Sequence, residues 1–229
     1  MVQAETDRIL AILRRTGWAG RLEPGLAEAL VQAGRVVRLP AGTWSHGEGD
    51  IETGILVVLD GAVQLFTEAP GDRQVLVGHV EQGGTIGQAN RFGGGPRIVT
   101  AIAVVPSQLL IVSDAALTRL SAAWPGLWRM IAGLAYAQMR VAVQMLAQIV
   151  ALPPRQRLAA RLIALAAIRG EPAPVTLSIG QQALGELVGL TRKTVNGLLQ
   201  DFAKEGLVRL RYAKLELVDL KGLDAAANA

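Results

Sequence analysis

Between Arg35 and Ser113 the sequence is a series of short apolar runs that glycines and prolines interrupt every few residues. The runs are RVVRL, GILVVLDG, AVQLF, QVLVGHV, RIVTAIAVV and QLLIV. Many short strands with no helical segment between them indicate an antiparallel sandwich or barrel. Asp60-Gly61 predicts a hairpin turn, because glycine adopts the positive φ that a tight turn needs. We therefore expect an N-terminal antiparallel β-domain, preceded by two helical pieces in residues 4–34.

A long helix is predicted from Pro125 to Ala151, with Arg129 and Arg140 as its only charged residues. Its apolar residues cover most of the helix circumference, so it must be covered on more than one side. We expect one side to pack on the β-domain and the other on a second copy of the chain, as a parallel coiled coil. The alternative is a helix buried inside a monomer. The predicted seam residues are Leu127, Ile131, Leu134, Gln138, Val141 and Met145.

The same segment is almost long enough to span a bilayer. Arg140 at its centre opposes insertion by about 2.5–3.5 kcal/mol, and Pro153-Pro154 ends the helix. The N-terminal residues include Glu5 and Asp7 and lack the apolar core of a secretory signal. We therefore expect a cytoplasmic protein with no membrane partner.

The net charge of +4 lies in the C-terminal third of the chain. Residues 1–151 have twelve arginines and twelve acidic residues, whereas residues 152–229 have eleven basic and seven acidic residues. A neutral body with a basic end suggests an anionic partner, nucleic acid first. The chain has no cysteine, which excludes disulfides, thiolate metal sites and a cysteine nucleophile. Pro153-Pro154 predicts a boundary, which gives a β-domain with N-terminal helices (1–124), a long helix (125–152) and a C-terminal domain (153–229).

Residues 180–202 have the pattern of a helix-turn-helix. Gly189 suits the end of the first helix, and Thr191 can cap the second. A hairpin around Tyr212-Ala213 follows, and it predicts a wing over the phosphate backbone. The alternative is an ordinary packing unit with a solvated basic face, but six basic and two acidic residues between positions 192 and 214 favour DNA. The predicted DNA contacts are Gln181, Gln182, Thr191, Arg192, Lys193, Thr194, Asn196, Gln200, Arg209, Arg211 and Lys214.

The order of a glycine-punctuated β-domain, a long helix and a winged motif containing GLTRKTVNGLL resembles the Crp–Fnr family of bacterial transcription regulators. The likeness covers about residues 25–222 and is most specific in Leu184–Leu199 and Gly83–Ala103. It implies an α+β fold, with a β jelly-roll sensor domain of the cyclic-nucleotide-binding type, a long dimerisation helix and a winged helix-turn-helix. It also implies a homodimer on a near-palindromic DNA operator, with half-sites about 34 Å apart, and RNA polymerase as a further partner.

The second helix of the helix-turn-helix is the recognition helix, which enters the major groove in the family. Its start departs from the pattern of well-known family members, which often have Arg-Glu there and a further Arg. This chain has Arg192-Lys193, and Gly197 stands at the later Arg position. A Glu accepts from cytosine N4, whereas a Lys donates to guanine or to phosphate. We therefore expect an operator that differs from the usual family sequence.

The family's nucleotide pocket corresponds to the stretch GGTIGQANRFGGGPRIVTA and to two positions of the long helix. Gln88 stands where the family has a Glu that holds the ribose, and Gln lacks the charge assistance. Ile98 replaces a hydroxyl residue and leaves a phosphate oxygen unpaired, which costs about 1–3 kcal/mol. Arg97 retains an anion site, unless it is a surface loop charge. The corresponding pocket residues are Ile86, Gly87, Gln88, Arg97, Ile98, Ala142 and Val143.

These departures predict a degenerate pocket, with another small-molecule effector or none in place of cyclic AMP. The alternative is a genuine cyclic-nucleotide-responsive activator. Haem would need His46 or His79, and isolated histidines are more often structural. A metal-dependent enzyme on a cupin-like barrel would need clustered histidine and carboxylate ligands. We therefore expect no metal, no catalytic residues and no enzyme.

Overall fold

The computed structural model describes residues 2–15, 22–23, 25–52, 54–88, 94–169, 172–211 and 214–229. It divides into two compact units, Met1–Gln74 with Gly78–Gln138 and Val75–Val77 with Met139–Ala229. The helices are α1 Val2–Arg15, α2 Leu26–Ala33, α3 Asp114–Ala123, α4 Leu127–Ala151, α5 Pro154–Arg169, α6 Gln181–Val188, α7 Arg192–Lys204 and α8 Leu220–Asn228. The strands are β1 Arg35–Leu39, β2 Trp44–His46, β3 Gly54–Asp60, β4 Ala62–Ala69, β5 Arg73–Glu81, β6 Thr85–Ile86, β7 Thr100–Ala103, β8 Ser107–Ser113, β9 Val175–Leu177, β10 Val208–Arg211 and β11 Lys214–Leu217.

The first unit is a jelly roll of two four-stranded antiparallel sheets, with strand orders β1-β8-β3-β6 and β2-β7-β4-β5. One core, which includes Leu56, Val63 and Leu109, lies between the sheets. A second core packs the outer face of β3 and β8 against α1, α2, α3 and the start of α4. Because β3 is buried on both faces, its sequence is a continuous apolar run. The predicted antiparallel β-domain and its N-terminal helices are confirmed.

The hairpin predicted at Asp60-Gly61 is wrong. The chain does turn there, and Gly61 has a φ of 84°. However, β3 before the turn pairs with β6 and β8, whereas β4 after it pairs with β7 in the other sheet. Ser107 holds this crossing, because its Oγ accepts from the backbone N–H of Ala62 at 3.1 Å and lies 2.7 Å from the carbonyl oxygen of Val105, to which it donates.

Helix α4 has two different faces. Leu127 and Ile131 are fully buried in the core of the first unit, so the predicted seam is wrong at these two positions. Gln138, also a predicted seam residue, donates from Nε2 to the backbone oxygen of Thr85 at 2.8 Å. In the described part of the chain, α4 is the one helix that is long and apolar enough to cross a membrane, and 6% of its apolar window is buried.

An exposed stripe runs along the other face of α4. Its residues follow one another at spacings of three, four, three and four positions, which is the a/d pattern of a coiled coil. The fraction of each side chain exposed is between 58% and 79%. The predicted seam residue Val141 lies outside this stripe, Leu134 is half-buried, and Met145 accepts from Nη1 of Arg161. The stripe consists of Tyr136, Met139, Val143, Leu146 and Val150.

The second unit contains a winged helix-turn-helix, as predicted. Helices α6 and α7 lie in the chain between β9 and the β10–β11 hairpin, and the three strands form an antiparallel sheet in the order β10-β11-β9. Phe202 of α7 is fully buried, and the guanidinium carbon of Arg155 lies 4.6 Å from the centre of its ring. Helix α8 packs against α5, with Asp219 accepting from the backbone N–H groups of Lys221 and Gly222.

Candidate DNA interface and effector pocket

The turn between α6 and α7 is fixed by two glycines. Gly189 ends α6 in the left-handed conformation, with a φ of 63°, as its sequence position predicts. Gly185 is a structural residue that the sequence reasoning missed. A Cβ atom there would lie 2.5 Å from the backbone oxygen of Leu190, and the N–H of Leu190 donates to the oxygen of Gly185 at 2.8 Å. The sequence signal that could have identified Gly185 is its position among the apolar residues on the buried face of α6.

The N-terminus of α7 is capped as predicted. Oγ1 of Thr191 accepts from the backbone N–H of Thr194 at 3.1 Å, and the two hydroxyl oxygens lie 2.9 Å apart. Arg192 and Lys193 follow the cap and are exposed, and neither forms an ion pair with a described residue. The capped helix therefore starts with two cations that have no ion-pair partner among the described residues, and Gln200 is exposed on the same helix.

Asn196 is less available than the sequence suggests. Its Oδ1 accepts from Nε2 of Gln181 at 3.2 Å, and the side chain is half-buried. A bidentate pair with adenine needs both the oxygen and the amide nitrogen. The contact with Gln181 occupies one of the two lone pairs of Oδ1 and leaves the other for a base. Gln182 is exposed and donates to Glu186 at 2.8 Å.

The wing has two kinds of basic residue. Nη1 of Arg209 donates to a carboxylate oxygen of Glu216 at 2.6 Å, so its charge is compensated within the wing. Arg211 and Lys214 face each other across the β10–β11 register, are exposed, and have no acidic partner among the described residues. The predicted wing tip, Tyr212-Ala213, lies outside the described residues.

The helix-turn-helix and the wing meet at one cleft of about 360 Å³. Apolar residues of β11, α6 and α7 form its floor. Gly180 at the start of α6 makes no side-chain cap, which leaves first-turn N–H groups available to an anion. Of the eleven predicted DNA contacts, this cleft collects Gln181, Gln182, Arg192, Arg211 and Lys214.

The predicted effector segment follows β6 in the first unit. Gln88 is completely buried; its Nε2 donates to Oγ1 of Thr85 at 3.3 Å, and its Oε1 has no partner among the described residues. The neighbouring backbone oxygen of Thr85 accepts from Gln138 of α4. Residues 89–93 of the same segment lie outside the described residues.

Arg97 is not a surface loop charge, because only 5% of it is exposed. Its Nε donates to the backbone oxygen of Glu52 and its Nη1 to that of Gly54, both at 3.1 Å. Gly87, with a φ of 92°, packs so closely on this guanidinium that any side chain there would collide with it. Burial lowers the pKa of Arg97, with Asp50 acting in the opposite direction. The group keeps its positive charge at neutral pH.

The remaining predicted pocket residues are divided between buried and exposed positions. Ile86 is buried in the core between the sheets, whereas 63% of Ile98 is exposed. Ala142 and Val143 are exposed on α4, and Val143 belongs to the exposed stripe. Their places in an effector pocket stay predictions.

Both histidines are buried in the first unit. Nδ1 of His46 lies 3.2 Å from Oγ of Ser45, and burial, followed by the charge of Arg97, lowers the pKa of His46 to about 4. Nε2 of His79 lies 3.2 Å from a carboxylate oxygen of Glu81. The residues that the structure describes include no group of three metal-ligating side chains.

Two family models match the chain in the order in which its units occur. Residues 36–123 match the cyclic nucleotide-binding domain, and residues 156–226 match the Crp-like helix-turn-helix domain. Together with the jelly roll and the winged motif, they define a DNA-binding transcription regulator with a cyclic-nucleotide-binding type of domain. The chain belongs to the Crp–Fnr family.

Known proteins are similar over nearly the whole chain. The CRP-like cAMP-activated global transcriptional regulator of Mycobacterium tuberculosis is 26% identical over 221 residues, which cover 95% of this chain and 99% of that protein. The catabolite activator protein of Thermus thermophilus is 25% identical, with a TM-score of 0.52 over 92% of this chain and 98% of its own. FixK2 from Bradyrhizobium japonicum is 16% identical and shares the fold, with a TM-score of 0.73 over 86% of this chain and 98% of its own.

Proposed function

We propose that the protein is a cytoplasmic homodimer that binds a near-palindromic DNA operator, and that cyclic AMP is not its effector. In this proposal residues 1–124 form the sensor domain, residues 125–152 form the dimerisation helix, and residues 153–229 form the DNA-binding domain. The protein regulates transcription through that operator, with RNA polymerase as a further partner. It has no catalytic role.

The observation that carries the DNA-binding proposal is the shared cleft of the helix-turn-helix and the wing. Arg192 at the start of α7 and Arg211 and Lys214 of the wing line it together. All three cations lack an acidic partner in the described part of the chain. Arg211 and Lys214 line the cleft together with the start of α6, and this arrangement suits the phosphate oxygens of DNA. Arg192 and Lys193 at the start of the recognition helix suit the edges of bases.

The dimer proposal rests on the exposed stripe of α4. Five large side chains at heptad spacing are exposed to solvent, which a soluble monomer rarely tolerates over such a contiguous patch. A second copy of the same helix, packed in parallel, places each stripe residue against its own counterpart. A two-fold dimer then presents two recognition helices about 34 Å apart, one for each operator half-site.

The effector proposal rests on Arg97, Gln88 and Ile98. The guanidinium that would hold a cyclic phosphate already donates two hydrogen bonds to backbone oxygens. Gln88 supplies no charge, and Ile98 no hydroxyl. The second candidate is a cyclic-nucleotide-responsive activator, which the match to the nucleotide-binding domain and the description of the mycobacterial relative as cAMP-activated favour.

Selection of bound DNA from a random pool by the full-length protein tests the function. We expect enrichment of an inverted repeat whose half-sites are about one helical turn apart. Recovery of DNA with no shared sequence would contradict sequence-specific regulation. Recovery of a single unrepeated half-site would contradict the dimer but leave the docking of the recognition helix intact.

A further inference from the structure

A second cleft lies within the first unit, where the α2–β1 junction, β2 and the segment after β2 meet the end of β8. Its volume is about 260 Å³, and Leu56 and Ile111 form its apolar floor. Arg97 is the residue of the predicted effector pocket that lines this cleft. Among the described lining residues, Ile86, Gly87, Gln88 and Ile98 are absent. Its polar lining consists mainly of Arg35, Ser45, His46, Asp50, Glu52 and Arg97.

We propose that this cleft binds a small zwitterion of amino-acid size, with the carboxylate on Arg97 and Arg35 and the ammonium on Asp50 and Glu52. The inference goes beyond the proposed function and does not depend on DNA binding.

The volume of the cleft limits the ligand. Pockets for drug-sized ligands usually measure about 300–1,000 Å³, and this one is smaller, at about 260 Å³. It suits a molecule with the mass of an amino acid better than a nucleotide. The buried Leu56 and half-buried Ile111 offer contact to a short apolar side chain.

The carboxylate end is assigned to the two arginines. Arg97 uses Nε and Nη1 for the backbone, while its Nη2 makes no hydrogen bond to a described residue. A guanidinium has five N–H donors, so Arg97 retains donors for a ligand while its backbone contacts fix its position. Arg35 at the start of β1 is exposed and supplies a second cation at the same cleft. Charge-assisted bonds of this kind are among the strongest hydrogen bonds in proteins.

The ammonium end is assigned to the two carboxylates. Oδ2 of Asp50 accepts from the backbone N–H of Gly47 at 2.8 Å, which orients the carboxylate and leaves Oδ1 available. Glu52 is exposed and lines the same cleft. His46 forms a neutral wall, because its Nε2 is buried without a hydrogen bond to any described residue and its pKa of about 4 keeps the ring uncharged. Two cations and two anions match a ligand that carries both charges and no net charge.

Thermal unfolding of the full-length protein with each standard L-amino acid tests the proposal. We expect at least one to raise the Tm. Calorimetry then compares that amino acid with the carboxylic acid that lacks its amino group and with the amine that lacks its carboxyl group. Both analogues should bind at least about tenfold more weakly, since each loses a charge-assisted contact.

Matched variants locate the site. Arg35→Gln and Glu52→Gln remove one exposed charge each from the cleft and should each raise the Kd about tenfold. Arg73→Gln and Glu68→Gln remove the same charges from exposed positions outside the cleft and should leave the Kd unchanged. The proposal is overturned if no amino acid raises the Tm, if either analogue binds as well as the amino acid, or if both cleft variants bind normally. All measurements omit DNA, so failure of operator binding would leave this result unaffected.

Discussion

Nη1 of Arg97 donates to the backbone oxygen of Gly54 at 3.1 Å, which ties a buried guanidinium to the first residue of β3. The resemblance to the Crp–Fnr family places a cyclic phosphate on this same guanidinium. Because Gln88 supplies no charge and Ile98 offers no hydroxyl, we expect calorimetry to show no micromolar binding of cyclic AMP to the wild-type protein.

The same prediction has a gain-of-function arm. Gln88→Glu combined with Ile98→Ser restores the two polar groups of the family pattern and should produce measurable cyclic AMP binding. Ile51→Ser is the control, since Ile51 is 88% exposed and outside the predicted pocket. Micromolar binding by the wild type that also shifts its DNA affinity would favour the cyclic-nucleotide-responsive activator.

The winged motif could be predicted because its signals are local. The turn glycine, the Thr191 cap and the wing hairpin all lie within about forty consecutive residues. Strands β2 and β6 could not be predicted in the same way, because three and two residues are too few to show alternation. Strands β3 and β4 pair with different sheets through strands far along the chain. The residues of the Asp60-Gly61 turn carry no information about those distant partners.

The first unit shows the same limit at Arg97, and so does α4. The carbonyl groups that hold Arg97 come from positions 43 and 45 residues earlier, so its burial has no local signal. A helix that is apolar all round does not reveal which face its own domain covers. In the structure, the face with Leu127 and Ile131 is buried in the first unit. The exposed stripe lies on a different face of the same helix.

Leu146→Glu should dissociate the proposed dimer. A carboxylate at a d position of a coiled coil faces its own counterpart in an apolar seam, where an unpaired charge is costly. Gln144→Glu adds the same charge at an exposed position outside the stripe and should leave the dimer intact. Sedimentation velocity measures both. Equal sedimentation of Leu146→Glu and the wild type would show that the exposed stripe is not the seam.

Arg192→Ala and Arg211→Ala should impair DNA binding in different ways. Arg192 starts the recognition helix, so its loss should relax base preference at one operator position, with a cost of about 1–3 kcal/mol. Arg211 lies on the wing, so its loss should weaken all DNA equally and lower the salt slope by about one. Competition binding over a range of salt concentrations checks both. Unchanged specificity in both variants would refute the assigned docking.

His46 should make the protein less stable in mild acid. Its folded pKa of about 4 lies below its ordinary value of 6.5, so the unfolded state binds the proton first as the pH falls. The stabilisation linked to neutral His46 is complete above pH 6.5 and is lost as the pH falls towards 4. Its loss lowers the free energy of unfolding by about 2 kcal/mol between pH 7 and pH 5. Urea denaturation of the wild type and His46→Gln at both pH values measures it. A parallel pH dependence in the two proteins would contradict the assignment.

Arg161→Met should stabilise the second unit. Only 5% of Arg161 is exposed, its Nη1 donates to the thioether of Met145 at 3.1 Å, and its Nε has no partner among the described residues. Burial lowers its pKa to about 10, which reflects the unfavourable environment of the charge. A thioether is a weak acceptor, so most of the desolvation cost of the guanidinium is not recovered. Methionine fills a similar length without that cost, and we expect a gain of about 1–3 kcal/mol.

Arg155→Met on the same helix is the matched control for Arg161→Met. Arg155 donates to both carboxylate oxygens of Glu205, at 2.8 and 2.6 Å, and lies over the ring of Phe202. Because both partners of this ion pair are partly exposed, its loss should lower the free energy of unfolding by at most about 1 kcal/mol. Guanidinium chloride denaturation should therefore move the two variants in opposite directions. If Arg161→Met were also destabilising, the buried guanidinium would have a strong acceptor in solution, such as one supplied by a second copy of the chain.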